Sequence, residues 1–255
     1  MIVDFSLDGK VAIVTGAAAG GIGEAYATAL TEAGAAVVCA DINEAGAKEI
    51  ADSLGGKAIA VGVDITDDES VQAMVQRAVD ELGGVDILVN NAALMAQLAT
   101  GGMSTLGFPP DMWNQAFAVN VTGAWNVARA AVPEMVKRGG GSIVNQSSIG
   151  AIPAESVYGI TKLAMIGLTT TLARELGPSN INVNCIAPGL TQSVAGKMLT
   201  PDDSPYVQAM QSRAAMRVKG DPSELCGALL LFVSPAGRWI TGQLMVVDGG
   251  ICMHV

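Results

Sequence analysis

Short apolar runs rich in β-branched residues alternate with amphipathic stretches along almost the whole chain. The candidate strands are residues 11–15, 36–40, 57–63, 85–90, 142–145, 181–186 and 243–247. They are continuous apolar runs, which is typical of strands that are covered on both faces. Repeated strand–helix–strand order predicts parallel pairing with right-handed crossovers. The sequence therefore predicts an α/β fold with a doubly wound parallel sheet of about seven strands and helices on both faces.

No linker, repeat or low-complexity tract divides the 255 residues, so we expect residues 1–255 to form a single domain. One long segment, residues 192–220, lacks a clear helical or strand pattern. Segments of this length in compact domains are usually functional or disordered. Tyr206, Met210 and Met216 would give it an apolar underside. We therefore predict a substrate lid at about residues 192–220.

Charge and residue usage exclude several classes of function. The net charge is −10, without a block of like charge, so we expect neither a nucleic-acid groove nor a membrane-binding patch. The apolar stretches are too short to span a bilayer. Four widely spaced cysteines and the lack of a signal peptide predict reduced thiols in the cytoplasm. The only histidine is His254, so neither a histidine-based triad nor a metal site is expected.

A glycine-rich turn, residues 15–23, directly follows the first strand and opens the first helix. Glycines there permit a tight turn and let a diphosphate approach backbone N–H groups at a helix N-terminus. Such a turn alone could also be an ordinary strand–helix connection. The acidic residue that follows the second strand favours a dinucleotide site.

Asp41 follows the second strand, 25 residues after Gly16. A carboxylate at this point can accept hydrogen bonds from both ribose hydroxyls of an adenosine. It would repel a 2′-phosphate, and Ile42 and Asn43 provide no cation to offset that repulsion. The pattern favours NAD(H) as cofactor, although Asp41 could instead be a helix cap.

Tyr158 and Lys162 are four residues apart and lie on one face of a predicted helix. A neighbouring ammonium favours phenolate, so we expect Lys162 to lower the pKa of Tyr158 toward a value useful for acid–base catalysis. The spacing alone is common and usually structural. Here it follows Ser147 and Ser148 at the end of the fifth strand, with Asn120 in the preceding helix.

Taken together, these features resemble the short-chain dehydrogenase/reductase family, in its single-domain NAD-dependent branch, over essentially the whole chain. The matching features are Thr15 to Gly23, Asp41, Asp64, Asn90-Asn91-Ala92-Ala93, Asn120, Ser148, Tyr158 with Lys162, Pro188-Gly189 and Val247-Asp248-Gly249-Gly250. The resemblance implies a Rossmann-type fold. Each feature falls just past a strand or on a helix facing that edge of the sheet, where open parallel sheets bind ligands.

The resemblance also implies a hydride-transfer site. Tyr158 would be the acid/base and Ser148 would hydrogen-bond the substrate oxygen. Lys162 would hold the nicotinamide ribose, and Asn120 would anchor a water that connects Lys162 to solvent. The implied cofactor contacts are Gly16, Gly20, Gly21, Ile22, Asp41, Ile42, Asp64 and Ile65 (adenine), Asn91 and Ala92 (adenine ribose), Tyr158, Lys162, and Pro188, Gly189 and Thr191 (nicotinamide carboxamide).

The implied activity is NAD(H)-dependent interconversion of a secondary alcohol and its ketone by a homotetramer. Ile149, Ile152 and Met95 suggest an apolar or cyclic substrate, such as a steroid or a cyclic diol. The alternative is a catalytically inactive NAD-binding regulatory protein. The presence of all the implied catalytic side chains argues against that alternative.

Two departures from the family pattern bear on the site. The glycine turn has one residue more than usual, so either Gly20 or Gly21 is additional. The interval from Ser148 to Tyr158 is ten residues, shorter than usual, which makes Ser147 the alternative to Ser148.

Overall fold

The computed structural model describes residues 4–95, 98, 104–199, 201 and 203–253. Within these residues, seven strands form one parallel sheet in the order β3-β2-β1-β4-β5-β6-β7. The strands are β1 (Val11–Thr15), β2 (Ala36–Asp41), β3 (Ala58–Gly62), β4 (Ile87–Asn90), β5 (Gly141–Gln146), β6 (Ile181–Pro188) and β7 (Leu244–Val247). Each of them overlaps one predicted strand, and the predicted doubly wound α/β fold is confirmed.

Helices cover both faces of the sheet. They are α1 (Ile22–Glu32), α2 (Glu44–Leu54), α3 (Asp68–Leu82), α4 (Pro110–Phe117), α5 (Ala124–Lys137), α6 (Val157–Leu176), α7 (Val194–Leu199), α8 (Pro205–Arg213) and α9 (Cys226–Val233). One apolar core packs α3, α5 and α6 against the sheet, and the other packs α1, α2 and α9 against its opposite face. In β1, Ile13 belongs to the first core while Ala12 and Val14 belong to the second. This alternation explains why the strands read as continuous apolar runs.

The order in which successive strands are added to the sheet reverses at β1. From β1 it proceeds outward to β2 and β3, then returns to pair β4 against the other side of β1. The register of this pair places Val14 beside Val89, so both strands end at the same edge. A crevice opens where strand order reverses, outside the carboxyl ends of the strands. The fold therefore directs the loops after β1 and β4 to one side of a single cleft.

Segment 192–220 contains more regular structure than its sequence suggests. It includes α7 and α8, both too short to display a helical repeat of apolar residues. The Gln192 amide donates to the Gly220 carbonyl at 2.9 Å, which joins the two ends of the segment. Thr200, Asp202 and His254 lie outside the described residues.

The described part of the chain lacks both a membrane-spanning helix and a metal-binding cluster. None of its helices combines the length and apolarity that a membrane span requires. No group of three or more His, Cys, Asp or Glu side chains there could hold a metal ion.

Candidate active site

Two adjoining cavities of about 280 and 340 Å³ lie at the carboxyl edge of the sheet. They share Gly16, Asp41, Ala92 and Ala93, so they form one continuous cleft. The first is bordered by the predicted site residues Gly21, Ile22, Asn91, Ser148, Tyr158, Lys162, Pro188, Gly189 and Thr191. The second is bordered by Ile42, Asp64 and Ile65. All predicted site residues except Gly20 and Asn120 therefore border this cleft.

The glycine-rich turn is held close to the end of β4. Gly16 has a φ of +69°, and a Cβ added to it would lie 2.8 Å from the Cα of Ala92. The Asn91 side-chain amide donates to the carbonyls of Thr15 (2.9 Å) and Gly16 (3.0 Å). The turn therefore needs glycine at position 16, and Asn91 fixes it against the neighbouring strand end.

Gly20 is not among the residues that border the cleft. Its N–H donates to the Glu24 carboxylate, and its carbonyl accepts from the Val194 amide at 2.8 Å. It borders a separate outer groove beside α1 and α7, whereas Gly21 borders both that groove and the cleft. Gly20 thus borders the outer groove and not the cleft, and its role as a cofactor contact stays a prediction. Gly21 is the N-cap of α1, and no side chain caps the helix there. The N–H groups of the first helical turn are therefore available to an anion.

Asp41 ends β2 and borders both cavities. One of its carboxylate oxygens accepts from the Ala18 amide at 3.0 Å, and the other accepts from the Asn43 amide at 2.9 Å. The N-cap of α2 is Asn43, whose side chain accepts from the Gly46 amide, so Asp41 is not that helix cap. Among the described residues that border the two cavities, Lys162 is the only cation.

Ser148, Tyr158 and Lys162 meet at the inner end of the cleft. Tyr158 and Lys162 project from the first turns of α6, which begins after an N-cap at Ser156. The Lys162 ammonium nitrogen lies 5.6 Å from the centroid of the Tyr158 ring, and it donates to the Gln146 carbonyl at 2.9 Å. Ser148 borders the same cavity as Tyr158, and its side chain is close enough to lower the pKa of the phenol. This arrangement joins a hydroxyl, a phenol and an ammonium at one point.

Ser147 is engaged elsewhere. Its hydroxyl is buried and donates to the Lys162 carbonyl at 2.8 Å, on the backbone of α6. This contact occupies the Ser147 hydroxyl, which supports the prediction of Ser148 over Ser147 as the substrate-binding serine.

Burial shifts both titratable groups of this cluster. It lowers the pKa of Lys162 to about 8, because the charged ammonium loses hydration. It raises the pKa of Tyr158 to about 12, and the Ser148 side chain opposes that rise. The expected lowering of the Tyr158 pKa by Lys162 is thus not found in this structure, where desolvation of the phenolate is the largest influence.

Asn120 lies in a π-helical turn, Ala118–Gly123, between α4 and α5. Its side-chain oxygen accepts from the Leu94 amide at 2.7 Å, and its nitrogen donates to the Leu94 carbonyl (3.0 Å) and the Thr161 hydroxyl (3.1 Å). Asn120 thus ties the loop after β4 to α6 beside Lys162. Such π-helical turns within longer helical segments are frequent at functional sites.

The structure adds Gln146 to the residues that border the cleft, and Tyr26 as its hydrogen-bond partner. Gln146 borders the cavity that holds Ser148 and Lys162, and its side-chain oxygen accepts from the Tyr26 hydroxyl at 2.9 Å. Sequence reasoning missed this pair. A glutamine directly after an apolar strand run was the available signal, since buried polar groups require partners.

The comparisons with known proteins agree with this geometry. A family model described as enoyl-(acyl carrier protein) reductase matches residues 16–252. The chain belongs to the short-chain dehydrogenase/reductase family. This family member is an oxidoreductase, and its chain is 46% identical over 249 residues to an uncharacterized oxidoreductase of Mycobacterium tuberculosis, covering 95% of this chain and 97% of that protein.

Two further similarities of this short-chain dehydrogenase/reductase are to hydroxysteroid dehydrogenases. It is 38% identical over 251 residues to the 7alpha-hydroxysteroid dehydrogenase of Escherichia coli, covering 96% of this chain and 94% of that one. A solved structure of 7alpha-hydroxysteroid dehydrogenase with NADH and 7-oxo glycochenodeoxycholic acid superposes with a TM-score of 0.89 at 37% identity, covering 98% of both chains.

Proposed function

We propose that this short-chain dehydrogenase/reductase uses NAD(H) to interconvert a secondary alcohol and its ketone. The observation that carries the proposal is the meeting of Ser148, Tyr158 and Lys162 in one cavity of the cleft. That cavity continues past Gly16 to Asp41 at the adenosine end. A site for proton transfer and a site for a dinucleotide are therefore contiguous.

The cleft residues fit a nicotinamide dinucleotide. The close approach of Gly16 to Ala92 leaves no room for a side chain at position 16, which keeps the turn as tight as a dinucleotide-binding turn requires. The buried side-chain nitrogen of Gln146 has no acceptor among the described residues, as expected where a ligand completes the contacts. Gly16, Gly21 and Ile22 would hold the diphosphate, and Asp64 with Ile65 the adenine. The adenine ribose would lie against Asn91 and Ala92, and the nicotinamide carboxamide against Pro188, Gly189 and Thr191.

Asp41 supports NAD(H) over NADP(H). A 2′-phosphate would lie against its carboxylate, and Ile42 offers no positive charge to offset the repulsion. The ribose hydroxyls of NAD(H) would instead donate to that carboxylate. Cofactor choice therefore follows from one side chain.

When bound, the cofactor supplies the hydride acceptor or donor. The chain's own residues hold the substrate and move the proton. Tyr158 gives its proton to a ketone oxygen or takes one from an alcohol, and Ser148 hydrogen-bonds that oxygen. With the cofactor bound, Lys162 would hold the nicotinamide ribose, and its positive charge would favour the phenolate. Asn120, anchored between Leu94 and Thr161, positions the water that links Lys162 to solvent.

The substrate end of the cleft favours an apolar or cyclic molecule. Met95 borders the cavity of Ser148 and Tyr158, and Ile152 is exposed on the loop before α6. Segment 192–220 begins beside this cavity at Ser193 and Ala195, which supports its role as a substrate lid. The similarity to 7alpha-hydroxysteroid dehydrogenase makes steroids a rational first substrate class.

We also infer a cytoplasmic homotetramer. Trp125 on α5 and Leu163 on α6 are exposed apolar side chains on neighbouring long helices, and association would bury them. All four cysteines are free thiols, which suits a reducing compartment. Size-exclusion chromatography with light scattering tests the tetramer.

A substrate panel tests the activity. The purified protein is incubated with NAD⁺ or NADP⁺ and hydroxysteroids, cyclic diols or linear secondary alcohols, and in reverse with the corresponding ketones. We expect turnover with NAD(H) that disappears in Tyr158→Phe. Binding of NADH without turnover of any substrate would instead favour the inactive regulator, and equal use of NADPH would contradict the role of Asp41.

A further inference from the structure

Gln146 has an unpaired donor at the wall of the cleft. It is the last residue of β5 and is 5% exposed. Its side-chain nitrogen is buried, and no hydrogen-bond acceptor for it is present in the described part of the chain. A buried N–H without an acceptor is unfavourable, and buried amides in proteins usually find one. This position therefore calls for a partner that the chain itself does not supply.

Tyr26 fixes the orientation of this amide. Tyr26 is fully buried on α1, and its hydroxyl donates to the Gln146 side-chain oxygen at 2.9 Å. Burial raises the pKa of Tyr26, so the hydroxyl remains a donor across the physiological range. Because Tyr26 engages the oxygen of the Gln146 amide, the nitrogen of that amide points away from the Tyr26 hydroxyl.

The surroundings of Gln146 are those of the nicotinamide end. Its backbone carbonyl accepts from the Lys162 ammonium at 2.9 Å, and it borders the same cavity as Pro188 and Gly189. The nicotinamide riboside half of a dinucleotide carries a carboxamide oxygen and ribose oxygens, all of which accept hydrogen bonds. The chemistry of that half therefore complements the unpaired donor.

We propose that Gln146 is a cofactor-binding residue, and that Tyr26 is its positioning residue. The Gln146 side-chain amide donates to an oxygen of the nicotinamide riboside half of the bound dinucleotide, with a small turn of the side chain toward the cleft. The inference rests on the proposed function, since it requires a nicotinamide cofactor in this cleft.

Three variants separate a binding role from a packing role. Gln146→Met removes the amide at similar length, but it leaves the Tyr26 hydroxyl without its acceptor. Tyr26→Phe removes the hydroxyl and leaves the glutamine free to turn. The double variant Tyr26→Phe/Gln146→Met replaces both polar partners, so no group is left unpaired and the fold should be preserved. Thermal unfolding of each variant checks that expectation.

Calorimetric titration with two ligands provides the readout. NADH contains the nicotinamide riboside, and ADP lacks it. We expect Gln146→Met and the double variant to weaken NADH binding by about 3- to 10-fold, with ADP binding changed by less than about twofold. Tyr26→Phe should weaken NADH binding less than Gln146→Met does, and it should add nothing in the Gln146→Met background.

Two results would overturn the inference while the proposed function stands. One is an unchanged NADH affinity in the double variant, which would make the pair a packing feature only. The other is an equal loss of NADH and ADP affinity, which would place the contact outside the nicotinamide riboside. If the wild-type protein binds ADP but not NADH, the proposed function fails, and this inference fails with it.

Discussion

Each of the two edges of the central sheet buries a charged side chain, but the two side chains differ in their hydrogen-bond and ion-pair partners. At the amino edge, Asp86 is 3% exposed and accepts from the Val11 amide (3.0 Å), Lys10 (3.3 Å) and Arg138 (2.8 Å). At the carboxyl edge, Lys162 is 2% exposed and donates to one backbone carbonyl. No carboxylate of the described residues forms an ion pair with Lys162.

This difference distinguishes a charged group that stabilises the fold from one that can take part in the reaction. The Asp86 carboxylate is compensated by two cations and an amide, so it holds β1, β4 and the end of α5 together. Lys162 is compensated incompletely, and its pKa is lowered to about 8 as a result. Incompletely paired buried groups with shifted pKa values mark functional sites more often than fully paired ones do. In this comparison, the buried charged group without an ion-pair partner lies in the cleft, whereas the fully paired group stabilises the fold. The lack of a partner is therefore a better indicator of the functional site than the charge itself.

The largest expected effect is at the carboxyl edge. Tyr158→Phe keeps the ring and removes the transferable proton, so kcat should fall by about 10²- to 10⁴-fold. NADH affinity measured by titration should change little, because the ring still packs beside Lys162. Turnover close to the wild-type rate would show that another residue is the acid/base.

At the amino edge the expected effect is on stability alone. Asp86→Ala leaves the Val11 amide and the cations unpaired, so the free energy of unfolding should fall by about 2–3 kcal/mol, since both cations are partly exposed. Denaturant titration measures it, while kcat at low temperature should be unchanged. Asp68→Ala is the matched control: it breaks an exposed pair with Arg129 and should cost less than about 1 kcal/mol. Equal losses of unfolding free energy in both variants would contradict the structural role assigned to Asp86.

Cofactor choice should respond to a change at the adenosine end of the cleft. Asp41→Ala combined with Ile42→Arg replaces a repulsive charge with an attractive one, so the ratio of kcat/KM for NADPH over NADH should rise by about 10- to 100-fold. Ile42→Arg alone keeps the carboxylate and should shift the ratio less. An unchanged ratio in the double variant would show that Asp41 does not select the cofactor.

The smallest expected effect is the stability cost of Lys162. Its pKa of about 8 lies below the 10.5 of an ordinary lysine, so the unfolded chain binds more protons between these values. The penalty is therefore complete below about pH 8 and fades as pH rises toward about 10.5. Lys162→Met, although slower in catalysis, should be more stable than the wild type by about 1–2 kcal/mol at neutral pH. A stability difference that does not shrink between about pH 7 and 9.5 would contradict this origin.

Much of the fold was predictable because burial on both faces leaves a strong signal. The seven apolar runs give the seven strands, with ends that shift by a few residues, as at Asp86 and Gln146. The cleft residues were predictable because parallel strands place their following loops at one edge. Asp41, Ser148, Tyr158 and Lys162 do lie along one cleft.

The remaining features depend on contacts between distant segments. The Tyr26–Gln146 hydrogen bond joins residues 120 positions apart, and Asp86 meets Lys10 and Arg138 across 76 and 52 positions. The upward shift of the Tyr158 pKa depends on how deeply the phenol is buried, which spacing along α6 does not reveal. The hydrogen bond of Gly20 required the position of Val194, from a segment without a readable pattern.

The pH dependence of hydride transfer tests the central claim most directly. Single-turnover NADH formation is followed across pH with an alcohol the enzyme accepts, and a deuterated alcohol verifies that hydride transfer limits the rate. Oxidation requires phenolate, so the rate should rise with pH through an apparent pKa of the Tyr158–Lys162 pair and then level off. Ketone reduction requires the neutral phenol and should fall with rising pH, and Lys162→Met should move the oxidation limb to higher pH. A rate of oxidation that is independent of pH while hydride transfer is limiting would contradict proton transfer by Tyr158.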